Sequence, residues 1–430
     1  MTRSVAILGA AVLPVAKWQR PRDAELQVLE HEILAKLVIE AVADAGVDKT
    51  EISSLAFAQP RPYTQQKYFA TFIANYLRLP CTGSVQEVLG NGMTAALAFE
   101  VAANDIRLGK SKVALALGIN FESAIPAVEH MMNSMRATGD VDFHAPFGFT
   151  PISWYAMDAA RYIHEFKSSR EELATVSVKN RRHASLNPIA QFRKPITLDE
   201  VLAQKPIVEP LGLYEVPPRG DGAACIVLVD EDIAKASGKP YVRVRGKVFF
   251  HEGAHQINEV PNDMIALISA QRAGQAAYQE AGVTADDIDL AELYAPCTII
   301  EVLASEALGL VPRGRGARLC AEGVTSLGAG FRYARRAACN RAAIPRMSPR
   351  STVSLRSTSN SPAAPANARS RVPDSPSPAP SSATTMRRWS MCWRVSDDAR
   401  SAHPRSPARL SAADDGIHPA FLAKACRRTF

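Results

Sequence analysis

Apolar and polar positions alternate along roughly the first 330 residues in blocks of two different periods. Ser4–Gly9 is a continuous apolar run, the pattern of a strand covered on both faces. Ala24–Ala45 places Leu26, Leu29, Ile33, Leu37, Val38, Ala41 and Val42 at helical spacing, and Gly46 stands where a C-terminal cap belongs. Ile52–Ala58 reads as a strand, Thr94–Leu108 as a helix ended by Gly109, and Val113–Gly118 as another buried strand. Such alternation predicts an α/β protein with a largely parallel sheet.

Residues 120–220 interrupt this rhythm. Ser168-Ser169-Arg170-Glu171-Glu172 and Thr197-Leu198-Asp199-Glu200 are capping boxes that open helices, and Asn187-Pro188 marks a turn between them. The region reads as a mostly helical insertion. Alternation resumes with the β-rich runs Ala223–Val229 and Tyr241–Phe250. The next helix is expected over Asp263–Ala281, capped by Asn262 or Asp263 and ended by Gly282.

An internal repeat organises these blocks. Ala-Gly-Val at 45–47 recurs 236 residues later at 281–283, and at that offset Ile52 falls on Ile288, Phe57 on Leu293 and Pro60 on Pro296. Helix, glycine cap, short loop and strand are therefore expected twice.

Charge sharpens the boundaries. The chain of 430 residues is +7 overall, but residues 333–430 hold 16 Arg, 1 Lys, 5 Asp and no Glu, a net of +12, which leaves −5 for 1–332. The globular part is mildly acidic, so nucleic-acid binding is not indicated. The tail has eleven prolines and no sustained amphipathic period, and is expected to be disordered. Arg almost without Lys, and no Glu, is what an out-of-frame reading of a GC-rich gene would give. The seven cysteines of the whole chain show no C-x-x-C spacing, which fits reduced thiols in a cytoplasm and does not indicate a zinc ribbon. No segment reaches the length of a membrane span. Arg3 followed by Val5–Ala16 imitates a signal peptide, but the single Arg and Pro14 favour a buried first strand.

Four segments carry a family resemblance: LGNGMTAALAFEVAANDIRLGKSKVALALG at 89–118, VKNRRHASLNPIAQFRKPITLDEVLAQ at 178–204, RGDGAACIVLVD at 219–230, and DIDLAELYAPCTIIEVLASEALGL at 287–310. They resemble the thiolase superfamily, in its branch of sterol-carrier-type and lipid-transfer thiolases. The resemblance implies a layered αβαβα fold of two similar halves. The N-terminal half would span 1–235 with a helical loop insertion at about 120–220. A partial C-terminal half would span 240–328, and the disordered tail 333–430. It further implies acyl-CoA thioesters as substrates with no further cofactor. It also implies a homodimer or thiolase-like hetero-oligomer, including one with an OB-fold/zinc-ribbon partner.

The chemistry departs from that pattern. A thiolase needs a cysteine thiolate at a sharp turn before a buried helix, where the helix dipole stabilises it. The corresponding turn here is Leu89-Gly90-Asn91-Gly92, and Leu89 holds the nucleophile position, where an aliphatic side chain cannot attack a thioester. Cys81, eight residues before this turn, reads as a buried or loop thiol rather than a substitute nucleophile. The Gly-His-Pro segment that precedes the second reactive cysteine of thiolases is absent. Tyr294 stands where thiolases carry a His or Asn, and resembles the general acid/base of thiolase-like aldolases, which also lack the nucleophilic cysteine. Three readings follow: impaired acyl transfer, retro-aldol cleavage of a 3-hydroxyacyl-CoA through Tyr294, and non-catalytic binding of acyl-CoA or lipid.

Gly90, Asn91, Gly92, His144, Arg182 and His183 are the substrate-binding candidates. His144 lies in a Phe-rich loop suited to a tunnel wall. Arg182 and His183, with Arg181, Arg193 and Lys194, are placed to meet CoA phosphates. His251-Glu252-Gly253-Ala254-His255 matches the H-E-x-x-H zinc signature, but it leaves a strand and contains Gly253, so no metal is expected. Arg219-Gly220-Asp221 matches an adhesion tripeptide that leads straight into a buried strand.

Overall fold

The computed structural model describes residues 3–18, 30–58, 66, 68–122, 126–136, 140–251, 263–327 and 390–395. Strand β1 (Val5–Val12) is followed by helix α1 (Glu30–Ala45), β2 (Ser54–Ala58), α2 (Phe69–Tyr76), β3 (Val85–Val88), α3 (Thr94–Arg107) and β4 (Val113–Phe121). The helices α4 (Ala127–Arg136), α5 (Pro151–Phe166), α6 (Arg170–Ser185) and α7 (Leu198–Leu202) come next, with a small hairpin of β5 (Pro206–Val208) and β6 (Leu211–Gly212). The chain returns to the main sheet as β7 (Asp221–Asp230), α8 (Glu231–Ala236) and β8 (Val242–Val248). Helices α9 (Ile268–Ala281), α10 (Thr298–Ala307) and α11 (Gly316–Ala321) and strand β9 (Ser390–Val395) complete the described elements.

The main sheet runs β3-β2-β4-β7-β1-β8-β9. Only β2 pairs in parallel, with β3 and β4; β4–β7, β7–β1, β1–β8 and β8–β9 are antiparallel. The sheet is thus mixed, which corrects the expectation of a largely parallel one. The cause is the insertion. It returns the chain to the same end of the sheet at which β4 leaves, with Asp221 opposite Phe121, so β7 runs back between β4 and β1 in the reverse direction.

Nine consecutive residues of β7 are buried, because helices cover both faces. Leu34, Leu37, Leu55, Phe57 and Ile73 fill one side, with α1 and α2. Phe99, Ile106 and Leu228 fill the other, with α3. Each such fully buried side chain contributes about 1.5–3 kcal/mol. A separate core joins the insertion to α9, α10 and α11 through Tyr162, Leu173, Ile299, Ile300 and Leu303.

The repeat survives in three dimensions. Gly46 and Gly282 end α1 and α9 at φ +69° and +64°. Capping boxes follow each, Asp48 with Glu51 and Thr284 with Asp287, again 236 residues apart. Further back, β1 and β8 each carry a glycine at a register shift, Gly9 and Gly246. Gly9 packs on the backbone of Ala41 and Ala45 of α1, and Gly246 packs on Ala277 and Ala281 of α9. The offset between the two pairs of alanines is also 236.

Three expectations change. Helix α9 starts at Ile268 rather than near Asp263, with Leu267 at φ 51° as its N-cap. The stretch expected as a strand in the second repeat, 288–296, is irregular, with no ladder partner among the described residues. Within the tail, Ser390–Val395 forms an edge strand, with Val242 opposite Val395 and Val248 opposite Ser390. Those six residues contain no proline. An outer strand of β8 would otherwise present unpaired N–H and C=O groups, and β9 satisfies them. The rest of the tail lies outside the described residues.

Candidate functional site

Strand β3 runs into Leu89-Gly90 and a single 3-10 turn, Asn91–Met93, before α3 begins. The Gly90 N–H donates to Thr94 Oγ1 at 3.0 Å, and the Met93 N–H donates to the Gly90 carbonyl at 3.0 Å. These bonds fix the sharp turn. Met93, the N-cap, makes no side-chain cap hydrogen bond, and the positive end of the α3 dipole lies at this turn. Leu89 is 66% exposed beside that helix end.

Tyr294 comes to this turn from the other half of the chain. A Cβ built on Gly92 would lie 2.8 Å from Tyr294 Cζ, and closer still to its hydroxyl, so only glycine fits beneath the ring. The hydroxyl oxygen itself is buried. The structure thus brings Gly90, Gly92 and Tyr294 together, with Leu89 at the mouth.

Among the described residues, the thiols of Cys81, Cys225, Cys297 and Cys320 all titrate above the ordinary value. Burial pushes the Cys81 thiol up to about 11, so little thiolate forms near neutral pH. Cys297 precedes α10 and is fully buried; burial first, then the charges of Glu215 and Asp158, hold its thiol well above the ordinary value. Cys225 and Cys320 are likewise buried and raised.

The remaining candidates separate. His144 is buried, and its Nδ1 accepts the Asp140 N–H at 3.1 Å. Its ring meets Phe143, Phe149 and Trp154 edge-on, which makes it part of an aromatic cluster. Arg182 is exposed, whereas His183 is completely buried and its Nε2 accepts the Leu327 N–H at 3.3 Å. His183 therefore faces the interior rather than solvent. Arg181 is also turned in, donating to the Lys194 carbonyl at 3.0 Å and lying over Phe192 and Tyr214. Arg193 and Lys194 stay on the surface with Arg182. Of the zinc-like run only His251 lies among the described residues. Asp221 of the adhesion-like tripeptide is fully buried and accepts the Trp18 N–H at 2.5 Å.

Sequence reasoning missed the buried ionic groups. Glu301 of α10 accepts Asn180 Nδ2 at 2.7 Å and pairs with Lys179, both on α6. Burial disfavours the Lys179 ammonium, yet Glu301 beside it, with Cys320, carries its pKa above the ordinary lysine value. Glu215, wholly buried, receives the Arg170 guanidinium and the Gly212 N–H at 2.9 Å. Burial pushes its carboxyl up against the pull of Arg170. Charged residues on a helix read as a solvated face unless their partners are known, and these partners are remote in sequence.

The fold and turn define a two-half α/β protein in which a helix N-terminus of one half faces a side chain of the other. The chain belongs to the thiolase family: residues 5–232 match the thiolase N-terminal domain, and residues 252–334 match the thiolase C-terminal domain-like family. It is 32% identical over 229 residues to the benzoylsuccinyl-CoA thiolase subunit BbsB of Thauera aromatica, covering 53% of this chain and 57% of that one. Over 334 residues it is 27% identical to an acetyl-CoA acetyltransferase of Methanothermobacter thermautotrophicus, covering 76% and 82%. A steroid side-chain-cleaving aldolase of Thermomonospora curvata is 26% identical over 308 residues, covering 70% and 78%. The solved Ltp2-ChsH2(DUF35) aldolase shares the fold with a TM-score of 0.68 at 23% identity, covering 79% of this chain and 86% of that one. No helix among the described residues is long and apolar enough to cross a membrane.

Proposed function

We propose that this chain binds an acyl-CoA thioester at the Leu89–Gly92 turn and cleaves a carbon–carbon bond of a 3-hydroxyacyl-CoA, with Tyr294 as general acid/base. The placement of Tyr294 against Gly92 carries this reading. The thioester oxygen lies at the N-terminus of α3, where the helix dipole favours negative charge. The proton leaves the C3 hydroxyl and the C2–C3 bond breaks. Its electrons form the thioester enolate, and a carbonyl product departs. Protonation of the enolate releases the shortened acyl-CoA. This chemistry transfers protons and needs no acyl-enzyme, which agrees with Leu89 at the nucleophile position and with the raised thiols. The likeness to a steroid side-chain-cleaving aldolase supports it.

Arg182, Arg193 and Lys194, all exposed, are the candidates for CoA phosphates in this reading; His144 and His183 are buried and have no part in it. The protein works in the cytoplasm as a homodimer or beside a thiolase-like or OB-fold/zinc-ribbon partner. The test is Tyr294→Phe with a panel of 3-hydroxyacyl-CoA thioesters. Loss of a proton-bearing oxygen should lower carbonyl product formation by about 100-fold or more and leave CoA-ester binding intact. Parental turnover in the variant would refute the role of Tyr294. A cysteine acylated by labelled acyl-CoA would favour acyl transfer instead.

A further inference from the structure

Tyr294 sits four residues before α10, and the path between is short of slack. Ala295 and Cys297 are 3% and 0% exposed, and Pro296 between them is buried with φ fixed by its ring. Wherever α10 lies, Tyr294 must follow. Helix α10 is held by a clamp of buried polar groups on the insertion. In its first turn, Glu301 is clasped by Lys179 and by Asn180 Nδ2 at 2.7 Å. These three residues are 3%, 5% and 3% exposed. At its first residue, the Thr298 hydroxyl points to Glu215 Oε1 at 3.5 Å, a longer contact to the carboxylate already held by Arg170. Near its C-terminus, Glu306 accepts Tyr162 of α5 at 2.7 Å.

We propose that the Lys179–Glu301–Asn180 cluster is a positioning device for Tyr294, setting the register of α10 against α6 and so the seat of the phenol over Gly92. The inference rests on the retro-aldol reading for its catalytic consequence, but the geometric claim stands without it. A buried ion pair contributes little net stability against an apolar replacement, and breaking one partner alone leaves a costly unpaired charge. The pair is therefore better explained by the single arrangement its directional bonds enforce. Apolar side chains of similar volume would fill the space and still permit α10 to slide.

That difference supplies the experiment. The double variant Lys179→Met/Glu301→Leu removes both charges and keeps the volume. A purely stabilising role predicts a clearly lower melting temperature with parental turnover. The positioning role predicts a melting temperature within a few degrees of the parent, a KM for the 3-hydroxyacyl-CoA within about twofold, and a kcat at least tenfold lower. Amide exchange across 294–301 should rise in the same protein whatever its activity. Should the double variant fail to fold, Asn180→Ala, which removes one donor to Glu301, should lower kcat several-fold and raise exchange in that segment. Parental kcat together with parental exchange in either folded variant would overturn the proposal. Tyr294→Phe run alongside separates the two ideas. If it keeps full activity, the retro-aldol reading fails, while the exchange measurement still decides the clamp.

Discussion

Gly92 and Tyr294, from the two halves of the chain, are in such close contact that a methyl group on Gly92 would fall 2.8 Å from Tyr294 Cζ. Tyr294 must yield if any side chain is placed there, since the turn beneath is held by the Gly90–Thr94 and Met93–Gly90 hydrogen bonds. Gly92→Ala should therefore displace the phenol while leaving α3 intact. The expected outcome is a loss of 3-hydroxyacyl-CoA cleavage comparable to that of Tyr294→Phe, with an unchanged far-ultraviolet circular dichroism spectrum. Full activity in Gly92→Ala would show that the phenol need not sit there.

Leu89 is two-thirds exposed at the N-terminal end of α3. A cysteine introduced by Leu89→Cys gains the helix field, which favours its thiolate. Iodoacetamide at pH 7 should label it well before Cys81, whose thiol burial holds near pH 11. Peptide mapping by mass spectrometry would show the order. Thiolysis turnover should nevertheless stay at background, because acyl transfer also requires a proton-transfer partner placed for that chemistry. Robust turnover from Leu89→Cys alone would refute this account of the turn.

The paired close approaches of the repeat make a stability test. Gly9 meets the Ala41 carbonyl 2.7 Å from where its Cβ would be, and Gly246 packs on Ala277 in the same way. In each case the obstacle is helix backbone, which cannot rotate aside. Gly9→Ala and Gly246→Ala should each destabilise by about 1–3 kcal/mol or more. Urea unfolding reads this directly, and an unchanged midpoint for either would deny the close contact.

Helix α6 depends on Glu172 in its capping box. Burial raises the Glu172 carboxyl, but Ser168, Arg318 and the Ser169 N–H outweigh it and hold the pKa below the ordinary glutamate value. A lowered folded-state pKa means that this contribution is present above the unfolded value near 4.5 and is lost as pH falls through the folded value. Glu172→Gln keeps the capping-box geometry and loses the charge, so it should cost about 0.5 kcal/mol at pH 7 and progressively less below pH 4.5. Denaturant midpoints of parent and variant should converge on acidification; a constant gap would contradict the assignment.

Local pattern alone determined much of this protein. The apolar spacing of Leu37, Val38 and Ala41 defined the inner face of α1, where the structure buries Leu34 rather than Ile33, and Ser169–Glu172 and Thr197–Glu200 marked helix starts. The recurrence of Ala-Gly-Val marked the repeated helix cap, and the Leu89–Gly92 turn before α3 was legible from its glycines. These features are legible because a helix face, a cap and a turn are decided within a few neighbouring residues. Tertiary structure decided the rest. The direction of β7 followed from where the insertion returned the chain, which no apolar run encodes. Arg182 and His183 are adjacent in sequence, but helical geometry turns one to solvent and the other to the backbone of Leu327. Lys179 looked like a solvated helix residue until Glu301 was packed beside it. Tyr294 and Gly92, roughly 200 residues apart in the sequence, became a site only when the two halves closed, because long-range contacts depend on how whole elements pack rather than on the spacing of residues within any one of them.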